Sequence, residues 1–265
     1  MTIHSGVAGQ PISHSLSPLI HGLWIEAAGL NATYEPFGPA DEAGFDALIA
    51  GVRSGALRGL NVTAPFKERA LALADEVSAM ARACGSANLL VFNDGRLSAD
   101  STDGFGLMTA LAERAPAFDP AGAPVVVLGA GGAARAAVAA LRDAGAEVSV
   151  LNRTRARAEA LSADLGCAVA EDHAVKDAAL IVNALSVRPE IDIAALRADA
   201  VLMDMTYKPL ITPFLAAGRA RGLTAVDGLA MLIGQARPSF EALFGVPAPS
   251  VDVRTAVLRR LGEVA

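Results

Sequence analysis

Lys67 and Asp103 are two side chains that could handle a proton, although neither alone establishes catalysis. Lys67 ends the run Gly59-Leu-Asn-Val-Thr-Ala-Pro-Phe-Lys67 and falls in the first turn of a predicted helix. A cation there opposes the positive end of the helix dipole, which favours giving up its proton. Asp103, in Thr102-Asp103-Gly104, stands at the head of another predicted helix. Such groups suit general acid–base work. Each also has a plainer reading, as a solvated lysine and as an aspartate capping its helix. Upstream, Pro11-Ile-Ser-His-Ser-Leu-Ser-Pro18 offers the hydroxyls of Ser13, Ser15 and Ser17. Ser17-Pro18 reads as an N-cap followed by proline at the first helical position. Ser15 and Ser17, with the N–H groups of that helix start, would suit a carboxylate. Capping by Ser17 alone is the competing reading. His14 is expected to be a structural hydrogen-bonder.

A second chemistry is written in Val125-Val-Val-Leu-Gly-Ala-Gly-Gly-Ala-Ala-Arg135, a β-branched run ending in glycines and then an alanine-rich helix. Gly129, Gly131 and Ala134 fit G-x-G-x-x-G/A, the turn that lets backbone approach a pyrophosphate at a helix N-terminus. Glu147-Val-Ser-Val-Leu-Asn152 reads as the next buried strand, and it ends in Asn152-Arg153-Thr154, with Arg155 and Arg157 beyond. An NAD site places an acid there, on the ribose 2′-hydroxyl. Glu147 opens the strand and so lies at the wrong end. Arginine at the strand tip favours a 2′-phosphate through charge-assisted bonds, so the cofactor is read as NADP. The plainer reading of the three arginines is a solvated helix face.

The elements that must position these residues follow from periodicity and punctuation. Strands are predicted ending at Gly6-Val-Ala-Gly9 and at 32–37 and 57–63. A hairpin is predicted over 88–100, turning at Asn93-Asp94-Gly95. Helices are predicted at 19–28 and 41–52, from Pro65, and from Asp103 to Arg114. Past the punctuated stretch 115–124, strands at 179–184, 200–205 and 223–226 are separated by helical segments. Helices follow at 228–244 and 253–264. The whole is a doubly wound α/β pattern. It divides into a substrate and catalytic domain over 1–103, completed by C-terminal helices at about 237–265, and a Rossmann-type dinucleotide domain over 104–236. The helix after Asp103 would be one of two crossings, leaving a cleft for substrate and cofactor.

Composition narrows the function class. The chain has 265 residues, 53% of them hydrophobic, and a mean hydropathy of +0.41, which excludes disorder. A net charge of −6 argues against nucleic acid as a partner. No apolar run has the length of a membrane span. Met1-Thr-Ile-His-Ser-Gly6 lacks the basic flank and apolar core of a signal peptide, and a cytoplasmic location is expected. Cys84 and Cys167 are too few for a disulfide framework, and four scattered histidines do not suggest a metal site.

Taken together, the motifs resemble the shikimate dehydrogenase family. The resemblance rests on Gly9-Gln-Pro-Ile-Ser-His-Ser-Leu-Ser-Pro-Leu-Ile-His21, Asn61-Val-Thr-Ala-Pro-Phe-Lys67, Thr102-Asp-Gly-Phe-Gly106 and Gly129-Ala-Gly-Gly-Ala-Ala-Arg135. It continues through Asn152-Arg-Thr154, Tyr207-Lys-Pro with Thr212-Pro213, and Asp227-Gly-Leu-Ala-Met-Leu-Ile-Gly-Gln235. It implies reversible reduction of 3-dehydroshikimate to shikimate with NADPH. By that resemblance, Lys67 and Asp103 form the catalytic pair. Ser15 and Ser17 bind the substrate carboxylate with Tyr207 nearby, and Thr63, Asn88 and Gln235 hold ring hydroxyls. Gly129, Ala130, Gly131, Gly132, Ala133, Asn152, Arg153, Thr154 and Gly228 hold NADP. The implied partner is a small cyclic polyol carboxylate, taken by a monomer or homodimer. The chain departs from the family pattern at Gly22, Leu89 and Ser101, and in the loop Asn183-Ala-Leu-Ser-Val-Arg188. Two alternatives remain: a related oxidoreductase of quinate, aminoshikimate or another cyclic hydroxy acid, and a non-catalytic nucleotide sensor.

Overall fold

The computed structural model describes residues 2–185 and 187–263. The chain forms two compact units. One runs to Thr102 and resumes at Ala236; the other is Asp103–Gln235. Among the described residues, no helix is long and apolar enough to cross a membrane.

The first unit begins β1 (Ile3–Ala8), α1 (Ser17–Ala27), β2 (Ala32–Phe37), α2 (Glu42–Arg53), β3 (Gly59–Val62) and α3 (Lys67–Leu73). It continues β4 (Glu76–Val77), α4 (Ala79–Cys84), β5 (Leu89–Asn93) and β6 (Arg96–Asp100). The strands form a sheet in the order β2-β1-β3-β5-β6-β4. β1 pairs parallel with β2 and β3, whereas β5 pairs antiparallel with β3 and β6. The β5–β6 hairpin turns through Asp94 and Gly95 at φ 50° and 80°, the paired left-handed geometry of a type I′ turn. β4, two residues on the sheet edge, was not expected from the sequence.

Alternation along β3 decides what each face holds. Leu60 and Val62 join a core with Phe45, Ile49, Phe66, Leu90 and Leu97. Asn61 points the other way, toward the side where aromatic rings collect. There His21 stacks on Tyr34 with centroids 4.0 Å apart and planes at 1°, while Trp24 and Phe240 meet edge to face at 5.5 Å.

His21 is fully buried, and neither ring nitrogen has a hydrogen-bond partner among the described residues. Burial holds its pKa down at about 3, against an ordinary 6.5. The imidazole is therefore neutral in the fold and charges near pH 6.5 only in the unfolded chain. Protons then favour unfolding as pH falls from about 6.5 toward about 3, so stability rises with pH across that window. Between pH 7 and 5 this residue should cost about 2 kcal/mol. His21→Phe keeps an aromatic ring against Tyr34 and should lose that share of the pH dependence in urea unfolding. Identical pH dependence in the two proteins would exclude His21 as its source.

The second unit runs α5 (Asp103–Arg114), β7 (Pro124–Leu128), α6 (Gly132–Asp143), β8 (Glu147–Leu151), α7 (Arg155–Leu165) and β9 (Ala168–Val169). β10 (Leu180–Asn183), β11 (Val201–Asp204), α8 (Pro213–Ala220) and β12 (Thr224–Val226) follow, then α9 (Gly228–Phe244), whose last residues belong to the first unit. α10 (Val253–Leu261) completes the first unit.

The second sheet is parallel throughout, in the order β12-β11-β10-β7-β8-β9. Counted within the unit this is 3-2-1-4-5-6, and the order reverses between β7 and β10. Its central strands are apolar without interruption because both faces are covered. Val125, Val127, Leu180 and Val182 enter one core, while Val126, Leu128 and Ile181 enter the other.

Some expectations are corrected here. The helical segment between β10 and β11 is a short 3₁₀ turn at Ile193–Ala195. Edge strand β9 was not anticipated. Ser17 is not the N-cap of α1 but its first residue; Leu16 occupies the cap position without a side-chain bond. The backbone N–H of Ser17 donates instead to Ser15 Oγ at 3.3 Å, so Ser15 does the local capping work. His14 is exposed and makes no hydrogen bond among the described residues, so it is not the structural hydrogen-bonder expected.

Candidate active site

In the first unit, the candidate residues singled out from the sequence collect where β1 and β3 end and β5 begins. The loops after the two parallel strands are stitched together by Gln10 N–H to the Ala64 carbonyl at 3.0 Å and Thr63 N–H to the Ala8 carbonyl at 2.9 Å. This places the Ser15–Ser17 loop beside the Thr63–Lys67 loop. Lys67, half-buried, opens α3, and its carbonyl accepts from Ala87 N–H at 2.9 Å. That bond brings Asn88 alongside.

Asn88 is 4% exposed and bound to Thr102 at both ends of its amide. Its Oδ1 accepts from Thr102 N–H at 2.8 Å, and its Nδ2 donates to Thr102 Oγ1 at 3.0 Å. Asn88 thus fixes the residue immediately before Asp103. On the far face of β3, Tyr34 donates to Asn61 Oδ1 at 2.8 Å, and Asn61 Nδ2 donates to Ser239 Oγ at 2.9 Å. Burial raises the Tyr34 pKa well above its usual value, with a hydrogen bond from Ser17 opposing the rise, so the phenol stays protonated.

In the second unit, Asp103 is the first residue of α5, and Gln235 lies on α9, which packs against α5 unusually closely. A Cβ on Gly106 would fall 2.6 Å from the Met231 carbonyl and 2.7 Å from Gln235 Cβ. Only glycine permits that approach, and it sets Gln235 beside the first turn of α5. The Gln235 amide donates to the Leu232 carbonyl at 3.0 Å.

Asp204, 1% exposed at the end of β11, ties two loops. Its carboxylate accepts from Asn183 Nδ2 at 3.1 Å, Thr212 Oγ1 at 2.7 Å and Thr206 N–H at 3.0 Å. It thereby anchors the loop that carries Tyr207, whose hydroxyl pKa is raised by burial. In the altered loop 183–188, Ser186 lies outside the described residues.

The glycine loop sits at the switch point of the second sheet. Gly129 has φ 115°, a conformation closed to ordinary side chains, and a Cβ there would fall 3.3 Å from the Ala184 carbonyl beyond β10. Gly131 occupies the N-cap of α6 with no side-chain cap, and a Cβ on it would meet nothing within 4 Å. Its glycine is not demanded by the protein's own packing; it leaves a shallow cradle over the N–H groups of Gly132 and Ala133. Asn152 Nδ2 donates to the Thr154 carbonyl at 2.9 Å, shaping the turn after β8. Of the three arginines there, Arg155 is paired with Glu159 at 3.0 Å and Glu171 at 2.6 Å. Arg153 and Arg157 are exposed and make no ion pair among the described residues. Gly228, after β12, is held close to the loop backbone: a Cβ would fall 2.6 Å from the Met205 carbonyl. Cradle, helix N-terminus and unpaired arginine together fit a dinucleotide bearing an extra phosphate.

Tyr34, Thr102, Ser239 and Asp204 belong to these arrangements and were not singled out from the sequence. A polar Asn61 among apolar neighbours in β3 was the one local signal of the buried network.

A glycine loop at the switch point of a 3-2-1-4-5-6 sheet, preceded by a separate α/β unit rich in hydroxyls, defines a two-unit dinucleotide-binding α/β protein. Residues 7–90 match the family model described as shikimate dehydrogenase substrate binding domain, and residues 110–191 match shikimate / quinate 5-dehydrogenase. The shikimate dehydrogenase (NADP(+)) of Caulobacter vibrioides is 53% identical over 99% of this chain and 97% of its own. That of Maricaulis maris is 46% identical over 97% and 96%. The shikimate 5-dehydrogenase of Thermus thermophilus, solved with NADP(H) and shikimate, superposes with a TM-score of 0.90. It is 35% identical, over 97% of this chain and 99% of its own. The chain belongs to the shikimate dehydrogenase family.

Proposed function

We propose that this chain is an NADP-dependent oxidoreductase that reversibly reduces 3-dehydroshikimate to shikimate. The observation that carries the reading is similarity along the whole chain to enzymes of that name, at 53% identity over 99% of its length. The reaction is assigned to the cytoplasm and to a monomer or homodimer, with a small cyclic polyol carboxylate as partner.

Residues 1–103 with about 237–265 serve as the substrate domain, and 104–236 as the NADP domain. Ser15 and Ser17 donate to the substrate carboxylate, with Tyr207 as a further donor. Thr63, Asn88 and Gln235 hold ring hydroxyls. Buried polar groups reject a ring that leaves them unpaired, so these residues select the polyol. Lys67 gives a proton to the carbonyl oxygen in reduction and takes it back in oxidation. Asp103 orients the Lys67 ammonium and accepts from a substrate hydroxyl. NADPH, when bound, supplies the hydride that reaches the ring carbon. Gly129, Ala130, Gly131, Gly132 and Ala133 present backbone to its pyrophosphate, Asn152, Arg153 and Thr154 hold the 2′-phosphate end, and Gly228 completes the cofactor site.

A substrate panel tests the reading. NADP⁺ reduction is followed with shikimate, quinate, aminoshikimate and the methyl ester of shikimate. Shikimate should be the best substrate, and the ester should show a raised KM because the carboxylate is held equally in ground and transition states. An ester used as well as the acid would remove the serine clamp. Turnover of quinate without shikimate would change the substrate. NADP⁺ binding with no turnover of any acid would leave a nucleotide sensor.

A further inference from the structure

Behind the serine clamp, Tyr34, Asn61, Ser239 and Thr102 form a buried network, and none of these four has an assigned part in the reaction proposed above. The network is continuous. Ser17 bonds the Tyr34 hydroxyl, Tyr34 donates to Asn61 at 2.8 Å, and Asn61 donates to Ser239 at 2.9 Å. Ser239 Oγ lies 3.4 Å from Thr102 Oγ1, and Thr102 is held at two points by Asn88. Asn61 Nδ2 also donates to the Asn88 carbonyl at 3.0 Å, closing the path on itself. Every member is buried: Tyr34 7%, Asn61 6%, Thr102 3% and Ser239 0% exposed.

Such a network is costly unless each group is satisfied, and an apolar side chain at position 239 would continue the surroundings set by Ala236 and Phe240. The hydroxyl at 239 serves the path instead. One end of the path is a serine assigned to the substrate carboxylate. The other end is the pair that fixes the residue before Asp103.

We propose that Ser239, with Tyr34 and Asn61, is a positioning residue: this buried relay sets Ser17 and the Asn88–Thr102 pair in register with one another. The proposal rests on the shikimate reading of the site. Removing one hydroxyl strands its neighbours, so a change at Ser239 is felt at Ser17 through Asn61 and Tyr34.

The experiment is a double-mutant cycle of Ser17→Ala and Ser239→Ala, read as kcat/KM for shikimate with NADP⁺. The relay requires the combined effect to depart at least about threefold from the product of the single effects. In a Tyr34→Phe background, which keeps the ring on His21 and cuts the path, the same two changes should multiply independently. Circular dichroism checks that each variant folds; should Ser239→Ala not fold, Ser239→Cys takes its place in the cycle. Independent effects in both backgrounds, in a wild type that turns shikimate over, overturn the relay alone. Coupling that survives Tyr34→Phe also overturns it, because the link would then run elsewhere. A wild type without shikimate turnover overturns the reaction and the relay's part in it together.

Discussion

Lys67→Ala is expected to lower kcat for shikimate oxidation by about 10²–10⁴-fold, the usual contribution of a positioned acid–base group. KM should move far less, because the lysine acts on the oxygen that changes protonation rather than on the carboxylate that holds the ring. α3 is short, its cap position is Phe66 with no side-chain bond, and a cation in its first turn gains nothing from the helix dipole. Asp103→Ala should fall in the same range. The double variant should be little worse than the worse single one, since the two act on one proton. Stopped-flow or steady-state rates at saturating substrate decide the matter. Near-normal turnover by Lys67→Ala would remove it from the chemistry.

The parts of this site that are legible in the sequence are those made by neighbours in the chain. The glycine loop, the strand before it and the arginines after β8 are local, so a run of β-branched residues and a break in glycine carry the reading. The hairpin turn at Asp94-Gly95 is local for the same reason. Ser17-Pro18 shows the limit of local reasoning. Serine before proline suits a cap, yet α1 begins one residue earlier, and burial turns the Ser17 hydroxyl toward Tyr34. The relay itself could not be read, because Asn61 and Ser239 are 178 positions apart and meet only when α9 returns to the first unit. Asp204 was missed for a related reason: an acid ending a hydrophobic strand carries no mark of the three donors the fold brings to it. β4 and β9 are two-residue strands on sheet edges, too short to show a period.

Cofactor choice gives the other large expected effect. Arg153→Asp should weaken NADPH binding about tenfold to a hundredfold, the cost of about 1.5–3 kcal/mol for losing a charge-assisted contact. The introduced carboxylate also repels a 2′-phosphate, while at the same strand end it can accept from a free ribose hydroxyl. NADH binding should therefore hold or improve, and the preference between the cofactors should narrow or reverse. The structure separates this arginine from its neighbour. Arg155 already serves Glu159 and Glu171, so Arg155→Ala should cost less NADPH affinity than the change at Arg153. Titrating both cofactors into wild type and the two variants, by nicotinamide fluorescence, reads all of these at once. The contact should also weaken with added salt, since Arg153 is exposed and its field is screened. Equal wild-type affinities for the two cofactors would remove the phosphate reading of the strand end. Undiminished NADPH binding in Arg153→Asp, with a wild-type preference intact, would move the phosphate contact to Arg157, the other arginine after β8 that makes no ion pair among the described residues.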